Sequence, residues 1–276
     1  MKFKKEIALI GLLVIFISCA TNPFTGKKTM AFVSNDQLFP SAFAQYNEVL
    51  SESKVVSGTQ DAEMIKRVGQ RIAAASERYL NANGFQGYLE DYKWEYKLIE
   101  SEQVNAWCMP GGKIAFYTGI LPIAKNETGV AAIMGHEVAH ALANHGQQRM
   151  SSGILQQAGG IAVAVATGDQ SPEKQQMWMQ AYGLGSNLGG LLPFSRSHET
   201  EADEIGIYLM AIAGYNPEEA AELWKRMKAN SGGQAPPEFL STHPSNDSRI
   251  QNLQSMVPKA KAEARKFGVT SFRPIN

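Results

Sequence analysis

The segment ETGVAAIMGHEVAHALANHG, residues 127–146, decides the fold. It is mostly apolar, yet it holds three of the chain's five histidines and a glutamate directly after the first of them. On a helix each residue turns by about 100°, so His136 and His140 project from nearly the same side, one turn apart. Two imidazoles so placed can reach one cation at the ~2.0–2.1 Å that zinc requires. Glu137 lies beside that face, where it can contact an attacking water without being a ligand, as a general base in metal-assisted hydrolysis must. Ile133, Met134, Val138, Ala141 and Leu142 make the helix a buried one, and buried histidines need polar partners. A helix carrying two incidental surface histidines does not fit those flanks.

A catalytic zinc site needs a third protein ligand and one open position. His145 is nine residues from His136, about 180° away on a continuous helix, so it is expected to cap or pack. Ala143 and Gly146 stand where the metzincin pattern has glycine and histidine, which excludes that class. The third ligand is expected in SRSHETEADEIG, residues 195–206. Glu199 and Asp203 are four apart and share a helix face, whereas Glu201 is about 200° from Glu199. Glu199 is the expected ligand, and Asp203 the acceptor that fixes the tautomer of a ligating histidine. Glu201 and Glu204 read as a solvated acidic surface. The cofactor these residues call for is one Zn2+ per chain.

Working outward, DAEMIKRVGQRIAAASERYL is amphipathic at helical spacing. In DYKWEYKLIE, Tyr92, Trp94, Tyr96 and Leu98 alternate with polar residues, the period of a half-buried strand. VNAWCM and KIAFYTG are two further strands around Pro110, Gly111 and Gly112. After Gly119 the pattern is helical, with an apolar helix SGILQQAGGIAVAVATGD of moderate length that is expected to be packed or interfacial rather than spanning. The fold class is α+β, mostly helical, with one small sheet beside the motif helix and no repeats.

The first twenty residues, MKFKKEIALIGLLVIFISCA, differ in kind. Basic Lys2, Lys4 and Lys5 precede an apolar run from Ile7 to Ile17, the pattern of a secretory signal. Ser18 before Cys19 resembles a bacterial lipobox, with Phe16 departing from the more usual leucine. Acylated Cys19 would tether the mature chain to a membrane; the alternative is a plain signal with an incidental cysteine. If Cys19 is acylated, Cys108 is a free thiol, either buried and inert or redox-sensitive. The expected organisation is a signal at 1–18, an extended, turn-containing tether at 19–35 and a catalytic domain at 36–276. Lys+Arg and Asp+Glu are 26 each, and without a basic stripe nucleic acid is not an expected partner.

HEVAH together with S-R-x-x-E-x-x-A-D at Ser195–Asp203 resembles the M48 metallopeptidases. NAWCMPGGKIAFYTGIL resembles the family's strand-turn-strand, STHPSNDSRI its T-H-P-x-x-x-x-R ending, and NPFTGKKTM the start of its periplasmic lipoprotein members. The likeness covers nearly the whole mature chain. It implies a zincin-type domain and an endopeptidase in which Glu137 moves the water proton to the leaving amine. The strand around Asn105 and Ala106 is expected to bind substrate backbone as an added strand. Arg196 and Arg249 come from the family motifs and orient a site carboxylate or form structural ion pairs, the structural role being favoured for Arg196. His243 is either a turn residue before Pro244 or a group whose loop reaches the zinc, as an oxyanion stabiliser or as the occupant of the open position. The implied setting is the bacterial envelope, a periplasm-facing lipoprotein of the outer membrane. Expected partners are unfolded or misfolded proteins, with envelope adaptors as further candidates. A chaperone-like zinc protein with little proteolysis is the competing reading, and retention of Glu137 weighs against it.

Overall fold

The computed structural model describes residues 19–187, 191–230 and 238–275. The expected signal at 1–18 and most of the Gly/Pro-rich loop before His243 lie outside the described residues. Cys19–Thr21 (β1) pairs antiparallel with Lys28–Met30 (β2). The Asn22 side chain closes their turn, accepting from the backbone N–H groups of Phe24 (2.9 Å) and Thr25 (3.3 Å). Phe24 stacks on Tyr79 with ring centroids 5.0 Å apart. The expected turn closes a hairpin, and the stretch is laid on the domain because its aromatic residue finds an apolar partner. Helix α1 (Asn35–Glu52) starts from a Ser34–Gln37 capping box. Helix α2 (Gln60–Ala82), capped by Thr59, buries Ile65, Val68, Ile72 and Ala75 on one face, as its spacing requires.

Val55–Val56 (β3), Glu95–Ile99 (β4), Ala106–Met109 (β5) and Lys113–Tyr117 (β6) form a sheet in the order β3-β4-β6-β5. The expected hairpin is β5–β6, with Ala106 opposite Phe116. Its turn needs glycine: Gly111 and Gly112 have φ of 81° and 87°, and a side chain on either would run into Phe43 or Trp94. Strand β4 pairs parallel to β6 and β3 adds antiparallel to β4. Alternation in the sequence reports which face is wet, not which strand lies alongside.

The rest is helical: α3 (Leu121–Ala124), α4 (Glu127–Leu142), α5 (His145–Ala166), α6 (Pro172–Ser186), α7 (Leu192–Ile212), α8 (Glu218–Asn230), α9 (Glu238–Thr242) and α10 (Asp247–Lys266). Helix α4, capped by Asn126, is buried from Thr128 to Leu142. It runs through the middle of the core, against α2, α7, α8 and the edge strand β5. An element buried on all sides is apolar all round, which is why the motif helix carries so few charges. Helices α4 and α7 cross where Gly135 meets Gly206: a Cβ on Gly135 would lie 2.7 Å from the Gly206 carbonyl oxygen. The short helix α9 is held by Phe239 and Leu240, which are buried. Asn246 caps α10, its side chain accepting from the Arg249 N–H. Among the described residues no helix is long and apolar enough to cross a membrane.

Candidate active site

The crossing of α4 and α7 at the glycine pair sets the first half of the site. It places Glu199 Oε2 3.4 Å from His136 Nε2 and Glu199 Oε1 3.3 Å from His140 Nε2. The two imidazole Nε2 atoms are 3.1 Å apart. His243, immediately after α9, brings Nδ1 within 3.2 Å of His136 Nε2 and 2.9 Å of Glu199 Oε2. These four residues offer donor atoms that all lie within 4.8 Å of one another, and three of the four residues are buried.

The tautomers follow from the outer contacts. Asp203 accepts from His136 Nδ1 at 3.0 Å, which leaves His136 Nε2 as a lone pair. Glu201 accepts from His145 Nε2 at 2.8 Å, so His145 Nδ1 is an acceptor. It takes the His140 Nδ1–H at 2.8 Å, and His140 Nε2 is thereby also a lone pair. With the imidazoles neutral, these lone pairs and the Glu199 carboxylate converge on one point and form a donor set for a cation. Donors around zinc at ~2.0–2.1 Å in a tetrahedron lie about 3.3 Å apart, and the spacings above match that edge. His136, His140, Glu199 and His243 thus fit a zinc ion in both chemistry and spacing.

The expected outer roles divide. Asp203 sits where the sequence put it, and Arg249 grips it with two bonds, Nε to Oδ2 at 2.8 Å and Nη2 to Oδ1 at 2.7 Å. The Arg249 guanidinium also lies 3.5 Å from the centroid of the Trp224 ring, whose edge meets His136. Arg196 does not join this set. It is exposed at the rim of a cavity of about 520 Å3 that opens on Glu199, Asp203 and Arg249, and among the described residues it makes no ion pair. It lies about one helical turn before Glu199 on α7, exposed, where a guanidinium stays hydrated.

His145 is corrected. The 180° separation assumed a continuous helix, but α4 stops at Leu142 and Asn144 takes a left-handed conformation, φ 56° and ψ 35°. That residue turns the chain so that His145 meets His140. Glu201, read as solvated, is drawn in with it, its side chain only 9% exposed. Asparagine is among the few residues that enter the left-handed region readily, so Asn144 was the available signal. Trp224 and Phe239 carried no pattern that could have marked them.

Burial opposes charge throughout the cluster, and the neighbours decide each outcome. Desolvation lowers the His136 imidazole pKa, but Asp203 and then Glu199 overcome it and raise it to about 9. His140 is held well below the usual histidine value by burial. Glu199 is destabilised by burial, yet the neighbouring imidazoles, His136 first, hold it well below the carboxylate range. Burial pushes Glu137 up. Its Oε1 is buried without a hydrogen-bond partner and lies 3.5 Å from His243 Nε2. Burial, then the charge of Glu137, pushes the Cys108 thiol far up, which favours the inert reading of that residue. Asn105 accepts the Tyr117 N–H at its carbonyl, and its side chain accepts from the Ala106 N–H at 2.9 Å, fixing the start of the edge strand.

The sequence matches the model of Peptidase family M48 over residues 59–257. The mitochondrial metalloendopeptidase OMA1 of Schizosaccharomyces pombe is 35% identical over 249 residues, 87% of this chain and 67% of the yeast protein. Its Saccharomyces cerevisiae namesake is 34% identical over 206 residues, 71% of this chain and 56% of that protein. A beta-barrel assembly-enhancing protease of Yersinia pestis is 24% identical over 250 residues, 87% of this chain and 48% of its own length. The chain thus spans between about half and two thirds of these relatives. The histidine and carboxylate cluster and the match over residues 59–257 agree, and the chain belongs to peptidase family M48, the metalloendopeptidases.

Proposed function

We propose that the protein is a zinc endopeptidase that cleaves unfolded or misfolded proteins of the bacterial envelope and that the chain rests in a latent state. The buried Oε1 of Glu137, without a hydrogen-bond partner beside the donor cluster, carries this reading, because it leaves an acceptor ready for the proton of a water held there. The chemistry a bound zinc supplies is Lewis acidity toward the scissile carbonyl and the attacking water. Glu137, its basicity raised by burial, takes the proton of that water and hands it to the leaving amine. His136, His140 and Glu199 would hold the ion, and Asp203, Arg249 and His145 keep those ligands in place.

His243 supports the latent state, since its Nδ1 stands in the corner that water must use. Of the two roles open to its loop, occupation of the open position is the one these distances favour. The Phe239 N–H donates to the Val104 carbonyl (3.2 Å), so α9 lies across the entrance to edge strand β5. Lifting α9 would free both the corner and the strand, and a peptide could then add to β5 near Asn105 and Ala106. Backbone pairing selects for extended, unfolded chains rather than for a side-chain motif. The envelope setting rests on the leader-like residues 1–18 and Cys19.

Glu137→Gln is expected to keep full zinc content and to lose casein cleavage by about 10²–10⁴-fold; undiminished cleavage would remove Glu137 as the base. His243→Ala is expected to keep at least one zinc per chain and to raise basal cleavage. A fall in cleavage at unchanged zinc content would make His243 a catalytic aid instead.

A further inference from the structure

Helices α5 and α6 form an arm that turns its apolar side chains outward. No residue of α6 is buried. Ile161 is 65% exposed, Val165 77%, Leu184 64% and Trp178 48%. Met150, Ile154, Ile161 and Val165 fall within about 60° of one another on α5, a continuous stripe. The two helices meet instead through small and polar groups. Gly159 approaches Tyr182 so closely that a Cβ there would lie 2.1 Å from the Tyr182 hydroxyl. That hydroxyl donates to the Gln156 carbonyl (2.9 Å), and Gln156 Nε2 donates to Ser186 Oγ (2.9 Å). Water drives a helix pair to bury its apolar stripe, whereas in hydrocarbon helices associate through glycine and interhelical hydrogen bonds. The arm follows the second pattern.

Two further observations name the occupant. Residues 150–168 and 175–195 carry no charged side chain, while Asp169, Glu173 and Lys174 are gathered at the arm's tip and the start of α6. Opposite charge on a protein partner would find little to pair with on this face. The apolar run Ile7–Ile17 with its basic start also enters the described structure at Cys19, on β1. The partner strand β2 lies on α5, where Met30 shares a groove with Leu155, Tyr182 and Leu191. The membrane-directed end of the chain and the arm are thus side by side.

We infer that the α5–α6 arm is a lipid-binding surface, seated in the headgroup and acyl boundary with Ile161, Val165, Trp178 and Leu184 in contact with lipid. The arm lies in the boundary rather than across it, since neither helix is long and apolar enough to span. Trp178 belongs at such a depth, its ring being apolar with one polar edge. Helix α5 is about 33 Å long by its 22 residues and begins at His145, bonded to His140, so the donor cluster lies within about one helix length of the lipid. Substrate segments emerging from or failing to enter the bilayer are then within reach.

The inference is independent of peptidase activity and shares with the proposed function only the membrane tether. The full chain is reconstituted with vesicles of phosphatidylethanolamine and phosphatidylglycerol, with ordinary or acyl-brominated chains. Flotation reports the tether, and the fluorescence difference between the wild type and Trp178→Phe reports the arm. At least a twofold quenching of the Trp178 component by brominated lipid is expected, and Ile161→Ser with Val165→Ser should reduce it at unchanged zinc content. A chain that floats with Trp178 unquenched overturns the arm alone, and one that neither floats nor is quenched overturns the tether as well. Efficient disulfide cross-linking between Val165→Cys protomers, undiminished by vesicles, would assign the face to a second copy and also overturn the inference.

Discussion

His145 is buried between a carboxylate and a metal-binding imidazole, and its own protonation is disfavoured, first by burial. A neutral His145 can accept from His140 only while Glu201 accepts from its other nitrogen. The pair therefore fixes His140 with Nε2 free. Removing such an orienting partner typically costs about 10–100-fold in metal affinity. His145→Phe, which keeps the ring volume but not the acceptor, is expected to weaken zinc binding by about that factor in competition with a chelator, and Glu201→Gln to weaken it less. Wild-type affinity in His145→Phe would reduce the contact to packing. A strict helical wheel hid this residue, because the one torsion that redirects it, at Asn144, is local and leaves no periodic trace.

At the scale of elements, the site depends on how closely α4 and α7 approach. A Cβ on Gly206 would lie 2.8 Å from the His136 backbone nitrogen, which no side-chain movement can relieve. Overpacking of this kind costs about 1–3 kcal/mol. Gly206→Ala is therefore expected to lower the thermal midpoint by several degrees and to weaken zinc binding more than it weakens the fold, since Glu199 and Asp203 move with α7. Equal zinc affinity at reduced stability would show that the crossing serves packing alone. HEVAH and E-x-x-x-D each announced half of the cluster, because helical spacing decides which residues share a face. Sequence left open which pairs of faces meet, and the glycines that decide it sit inside apolar runs where small residues draw no notice.

For the molecule as a whole, the cluster couples metal, protons and stability. The metal-free His136 is raised to about 9 from an ordinary value near 6.5, by Asp203 and Glu199 against the opposing effect of burial. Its protonation therefore stabilises the metal-free fold fully below about pH 6.5, and that contribution is lost as pH rises through about 9. Zinc must displace this proton, so affinity should climb across the same window. Saturation at 1,000 times the dissociation constant adds about 4 kcal/mol, which for a chain of this size is a rise of about 8–16 °C in the melting midpoint. Differential scanning calorimetry with zinc and with chelator is expected to show that increment growing from pH 6.5 to 9. A constant increment would exclude His136 as the proton that zinc displaces.

The sequence by itself determined the local chemistry: a buried helix with two imidazoles and a carboxylate, a second helix with Glu199 and Asp203 on one face, and a β5–β6 hairpin turned by Gly111 and Gly112. These are short-range properties, set by helical and strand periods and by backbone freedom. Only the tertiary structure decided that β4 runs parallel to β6, that His145 and Glu201 support His140, that His243 joins His136, His140 and Glu199, and that Arg196 stays outside. Each of those depends on where an independent element docks, and docking is governed by the fit of whole surfaces, which no single stretch of residues records.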